Sequence, residues 1–227
     1  LDLISKYNQF YEDAVSGLRK NDYQIDSFLK EKNDNRFGLT LLLRFPETIR
    51  NQIQLFITEL QRDNYEQYFY PDSDLHITVL SIISCEENFK LNSIDLENYI
   101  NIITETLARF SPFEIHLKGI TASSSAIMIQ GFPTSDVLQQ IRASLQLAFQ
   151  QTKLKQSINK RYTLETAHST VCRYQEPLSN IEKLELTMAK FRDFEFGKFS
   201  VVELELVYND WYQKSEKTVL LKRFNFQ

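Results

Sequence analysis

Two four-residue segments of this chain carry one pattern of histidine, spacer, threonine and valine: His76-Ile77-Thr78-Val79 and His168-Ser169-Thr170-Val171. The chain holds only three histidines, so two of them lie in this setting. In an extended strand alternate side chains share a face, so His76 and Thr78 point one way, as do His168 and Thr170. Each segment therefore presents an imidazole beside a hydroxyl on a rigid element, and the fold must be one that carries this arrangement twice.

The elements around the motifs repeat as well. Residues 37–45 are apolar and strand-like and end at Pro46, which is well placed to open a helix whose stripe is Ile49, Ile53, Phe56, Ile57 and Leu60. Residues 68–70 and 75–83 read as extended, separated by the turn Pro71-Asp72-Ser73-Asp74. A helix with Leu96, Ile100, Ile103, Leu107 and Phe110 on one face follows, then a strand over 113–120. The second half reads alike: a strand at 126–132, a helix with Val137, Ile141, Leu145, Ala148 and Phe149, a strand over 162–173 with the second motif, and a helix aligned on Ile181, Leu184, Met188 and Phe191. Residues 199–208 and 217–224 close the chain as a hairpin. The first 35 residues read as helical, with Leu3, Tyr7, Phe10, Tyr11, Ala14 and Leu18 at helical spacing.

This order predicts an α+β fold: two pseudo-symmetric lobes of antiparallel sheet with flanking helices around a central cleft, plus an N-terminal helical extension. The expected division is an extension over 1–36 and one domain over 37–227, with lobe-forming halves of about 37–122 and 123–227.

Composition narrows the function classes. A net charge of −4 argues against a broad electrostatic grip on duplex DNA, which needs many phosphates neutralised, but leaves room for a local basic cleft. No apolar run approaches bilayer length and no basic-then-apolar leader opens the chain, so neither membrane insertion nor export is expected. The first residue is Leu rather than Met, which leaves the upstream end open. Two cysteines, Cys85 and Cys172, make neither a disulfide framework nor a zinc motif, which fits a reducing, cytoplasmic setting. A monomer is expected.

On these two motifs and this element order, the chain resembles the two-histidine (2H) phosphoesterase superfamily, which includes the LigT-like cyclic phosphodiesterases and RNA 2′,5′-ligase-like proteins. The resemblance implies that His76 and His168 form an acid–base pair, that Thr78 and Thr170 hold the phosphate, and that Arg173, five residues after His168, contacts it. Where the family usually places an apolar residue, this chain has Ser169, expected to face away from the cleft.

The chemistry fits those residue types. Opening a cyclic phosphate requires a water to lose a proton while the departing ribose oxygen gains one, and imidazole, with an ordinary pKa of about 6.5, does either near neutrality. Hydroxyls aimed at the non-bridging oxygens stabilise charge in the transition state, by about 3 kcal/mol per donor in comparable sites. The expected substrate is a 2′,3′-cyclic phosphate, an ADP-ribose cyclic phosphate, or a 2′,5′-linked nucleotide or RNA end. The alternatives are a non-catalytic nucleotide or RNA-end binding module and RNA 2′,5′-ligase activity. No cofactor or metal is expected, since neither motif histidine has a second ligand at metal-binding spacing.

Among aromatic residues that could stack on a base, Tyr70 and Tyr174 are the strongest substrate-binding candidates, with Tyr68, Tyr162, Trp211 and Tyr212 nearby in sequence. Arg44, Lys118 and Arg161 are further basic candidates. The third histidine, His116, alternates with Glu114 and Lys118 and is expected on a polar sheet face.

Overall fold

A computed structural model of the chain describes residues 2–31, 33–160 and 163–226. Arg161 and Tyr162, both named above, lie outside the described residues.

The chain opens with helix α1 (Leu3–Arg19) and a short 3-10 turn (Ser27–Lys30). Strand β1 (Arg36–Leu43), helix α2 (Glu47–Asn64), the two-residue strand β2 (Tyr68–Phe69) and strand β3 (Ile77–Glu87) follow. Next come α3 (Leu96–Leu107), β4 (Phe113–Ala122), β5 (Ala126–Pro133), α4 (Val137–Gln150), β6 (Ser169–Arg173) and α5 (Ile181–Lys190). Strands β7 (Glu195–Val201), β8 (Glu203–Asp210) and β9 (Val219–Asn225) complete it.

The strands form two antiparallel sheets. One has the order β3-β1-β8-β9 and the other β2-β6-β5-β4-β7. Each motif strand thus sits in a different sheet, beside the strand that precedes it in the repeat: β3 beside β1, and β6 beside β5. Strand β1 is buried through its last six residues because it lies between β3 and β8. The five apolar residues expected on α2 are all buried, and Pro46 takes the N-cap position. Among the described residues no helix is long and apolar enough to cross a membrane.

Two helices are exchanged between the sheets. Helix α2, which follows β1 of the four-stranded sheet, packs on β7 of the other sheet, while α4, which follows β5, touches β3. The strands are exchanged too. The sequence halves 37–122 and 123–227 therefore do not coincide with the lobes: β4 pairs with β5 and β7, and β8 pairs with β1. The reason is local for β4, whose hairpin with β5 crosses the expected boundary by a turn at Ser123-Ser124-Ser125, where Ser123 N–H bonds the Ala126 carbonyl.

Three element boundaries also differ from expectation. The stretch 199–208 is two strands in two sheets, divided at Val202, so only its later part enters the closing hairpin with β9. Of the described residues in the expected strand over 162–173, only Ser169–Arg173 pair in a ladder. The N-terminal helix ends at Arg19, where Lys20 N–H donates to the Gly17 carbonyl, Asn21 N–H donates to the Leu18 carbonyl, and Asn21 turns with φ 55°.

Candidate active site

His76 and His168 each stand one residue before their strands, which begin at Ile77 and Ser169. Both strands carry a bulge at the same place. On β3, Leu80 lies opposite Leu41 and Thr78 opposite Leu42, so Val79 is an extra residue. On β6, Cys172 lies opposite Ile127 and Thr170 opposite Met128, so Val171 is extra. An inserted residue reverses which face the following side chains take. Odd-numbered positions then join the motif's even-numbered face, and Ser81 and Arg173, each five residues after its histidine, line the same pocket as His76, Thr78, His168 and Thr170.

The bulge accounts for one correction. Strict alternation places Tyr174 with His168 and Thr170 and turns Arg173 away; the structure does the reverse. Tyr174 is fully buried behind the strand, edge-on to Tyr23, and does not line the pocket. Tyr70 does, and its hydroxyl accepts a hydrogen bond from Arg173 Nε at 2.9 Å. Arg173 Nη1 lies 3.7 Å from the Asp26 carboxylate, which also accepts from the Tyr212 hydroxyl at 2.8 Å. The guanidinium is thereby held between a phenol, a carboxylate and the face of Tyr212.

The two imidazoles are anchored differently. His76 Nδ1 lies 2.7 Å from the Asp74 carbonyl oxygen. A carbonyl only accepts, so Nδ1 carries the proton and Nε2 of the neutral ring keeps its lone pair for a ligand. His168 Nδ1 lies 2.6 Å from the Thr166 hydroxyl, which suits either tautomer because a hydroxyl both donates and accepts. Arg44 braces the loop before the first motif, its Nη1 donating to the Ser73 and Leu75 carbonyls.

Burial holds both rings below the usual histidine range. His76 is pushed down to about 3, mainly by desolvation and further by the charges of Arg44, His168 and Arg173, against the opposing Asp74 carbonyl. His168 is pushed down to about 4 by desolvation, then by Arg142 and Arg173. Both rings are neutral at neutral pH, and an anion entering between them supplies the charge that favours protonating one. None of the described residues lining the pocket is a carboxylate, so a chain of net charge −4 still offers an anion a positive, hydrogen-bonding cavity.

The remaining candidates fall elsewhere or play supporting parts. His116 Nε2 pairs with Glu195 at 2.5 Å and Lys118 joins the same carboxylate at 2.9 Å, a surface cluster on β4 and β7. Ser169 is buried away from the pocket, and its hydroxyl has no partner among the described residues. Cys172 is buried, which raises its thiol pKa and leaves it packed rather than nucleophilic. Trp211 lines the pocket with Thr40, Asn209 and Gln213, polar positions on β1 and around β8 that carry no motif.

Two residues outside both motifs brace them. Tyr7 of α1 is 1% exposed, and its hydroxyl donates to the Gly131 carbonyl at 3.1 Å and accepts from Ala167 N–H at 3.1 Å and Gly131 N–H at 3.3 Å. It sits where the β5–β6 ladder has ended, and a Cβ on Gly131 would fall 2.1 Å from the Ala167 carbonyl oxygen, so only glycine fits there. Arg142 of α4, 5% exposed, bonds two main-chain carbonyls of the first motif and that of Thr166, two residues before His168. Its signal in the sequence is a charge on the apolar stripe of Leu138, Ile141 and Leu145.

The fold and pocket define a two-lobed α+β protein with paired His–Thr strands opening on one cleft. The family model described as the 2′-5′ RNA ligase superfamily matches residues 45–212, and the chain belongs to that superfamily. Membership places it among enzymes that act on phosphoester bonds. Among solved structures it is similar to TT0787 of Thermus thermophilus, with a TM-score of 0.64 and 16% identity over 83% of this chain and 97% of that one. It is also similar to E. coli LigT solved with 3′-AMP, with a TM-score of 0.58 and 14% identity over 85% and 99% of the two chains. At such identities the likeness is one of fold. A search of curated proteins found no match.

Proposed function

We propose that the protein is a phosphodiesterase that opens a cyclic phosphate, or cleaves a 2′,5′-linked nucleotide or RNA end, by acid–base chemistry between His76 and His168 without a metal. What carries this reading is the convergence of two His–Thr pairs and Arg173 on one pocket whose described lining holds no carboxylate.

In this scheme the phosphate enters between the two imidazoles. Thr78 and Thr170 donate hydrogen bonds to its non-bridging oxygens, and Arg173, oriented by Tyr70 and Asp26, offsets their charge. One imidazole Nε2 takes a proton from the attacking water as the new P–O bond forms. The other, protonated in response to the bound anion, gives its proton to the ribose oxygen that leaves. The rings are restored by proton exchange. With a hydroxyl end attacking the cyclic phosphate in place of water, one ring takes the hydroxyl's proton as the new P–O bond forms and the other gives its proton to the departing ribose oxygen, so two ends are joined, which is the ligase reading of the same site.

Turnover of 2′,3′-cyclic nucleotides, ADP-ribose cyclic phosphate and 2′,5′-oligoadenylate tests it. His76→Ala and His168→Ala are each expected to lower kcat by about a thousandfold, within the range of lost acid–base groups, with folding intact and EDTA without effect on the parent protein. Full activity in either variant contradicts the assignment. Binding without product on every substrate favours the binding module.

A further inference from the structure

Arg142 is a buried guanidinium that nothing in the two motifs announces, and its hydrogen bonds run to the first motif and to the segment leading into the second. Its Nε donates to the Val79 carbonyl at 3.0 Å, and its Nη2 donates to the Thr78 carbonyl at 3.0 Å and the Thr166 carbonyl at 2.9 Å. Val79 is the extra residue of the β3 bulge, so its backbone stands outside the regular ladder. Thr78 is the threonine of the first motif. Thr166 is the residue whose hydroxyl meets His168 Nδ1 at 2.6 Å. The two segments belong to different sheets, and α4 is the helix exchanged from one sheet's repeat onto the other. A planar fork fixed to both backbones is a rigid spacer between the half-sites.

We propose that Arg142 is a positioning residue that sets the separation and orientation of the two half-sites, and so the convergence of His76 and His168 on one phosphate. This rests on the function proposed above for that pocket. Arg142 touches backbone rather than substrate, so its effect passes through the imidazoles. A near-attack geometry tolerates little error, and a small displacement of one half-site lowers the rate without abolishing phosphate binding.

Arg142→Lys and Arg142→Met separate its geometry from its charge. Lys keeps a cation but not the planar fork that reaches three carbonyls; Met keeps the stem and loses both. In both variants kcat is expected to fall about 30-fold or more while KM stays within about threefold. The pKa of His168, followed by imidazole NMR, is expected to rise in Arg142→Met and to stay near the parent value in Arg142→Lys. The groups facing His168 are Arg142 from α4, Arg173 from β6, His76 across the cleft, and the Thr166 hydroxyl at its Nδ1, itself bonded to the Tyr7 hydroxyl. Of these, only Arg142 changes. A fold-only role for Arg142 would lower the amount of folded protein without splitting kcat from KM. Should Arg142→Met fail to fold, Arg142→Lys carries the same reading.

Saturating inorganic phosphate provides a readout that needs no turnover. In the parent protein it is expected to raise the pKa of both motif rings, and in the two variants that of one ring only. A folded variant with kcat within threefold of the parent, or with both rings answering phosphate as in the parent, overturns the proposal. A parent protein that turns over none of the substrates while both rings answer phosphate overturns the proposed function, and the loss of one ring's response in the variants still upholds the role of Arg142.

Discussion

His76 and His168 are the residues at which the site and the fold make opposite demands. Each is neutral in the folded protein down to about pH 3 and 4, against about 6.5 in an unfolded chain. Between those values the unfolded state binds protons that the folded state refuses, so stability is full above pH 6.5 and declines as the pH falls towards 4. The loss is on the order of 1 kcal/mol per pH unit for each ring, reduced where the cavity admits water. A His76→Gln/His168→Gln double variant is therefore expected to resist acid better than the parent, with a flatter dependence of urea midpoint on pH between 6.5 and 4.5. Equal slopes in the two proteins would contradict the assignment of both rings as desolvated and neutral.

Residue identities in the motifs are legible because a period of two places His and Thr on one face, whatever sheet they join. The step to Arg173 is readable only through a family likeness, and strict alternation misplaces Tyr174, because nothing in Val171-Cys172 marks a bulge. Arg142 is readable only as an anomaly on an apolar helix face; its partners are carbonyls distant in sequence, which no local pattern names.

At the scale of elements, the β–α–β repeat stands out because its signals are local: Pro46 before α2, the apolar stripes, the turn at Pro71-Asp72-Ser73-Asp74. Sheet membership does not, because pairing β8 with β1 or β4 with β7 is decided by contacts between distant segments. The N-terminal helix is the element whose part changes most. It reads as an extension, yet its Tyr7 takes the place of ladder partners immediately before His168. Tyr7→Phe strips one partner from the buried Ala167 and Gly131 backbone groups, and is expected to cost about 1–3 kcal/mol in urea unfolding. Because Ala167 adjoins His168, kcat is expected to fall with it while KM changes little. A variant matching the parent in both would show that α1 merely covers the sheet.

At the scale of the whole molecule, the exchange of strands and helices between the two sheets makes the cleft a product of the fold rather than of either half. Neither sheet holds a complete site: β3 with the residue before it supplies one His–Thr pair, β6 with the residue before it the other together with Arg173, and α1 and α4 brace the two from behind. The long-range closure explains why the motifs can be found in the sequence while the frame that joins them cannot. It also directs charge. An acidic chain gathers arginines at and behind a pocket whose described lining has no carboxylate, which draws in a phosphate while repelling broad polyanion surfaces.

The most direct test is a crystal structure of the protein grown with inorganic phosphate. The expected result is one phosphate within hydrogen-bond distance, about 3 Å, of Nε2 of both His76 and His168 and of the Thr78 and Thr170 hydroxyls. A phosphate held by one half-site alone, or rings too far apart to share a single phosphorus, contradicts it.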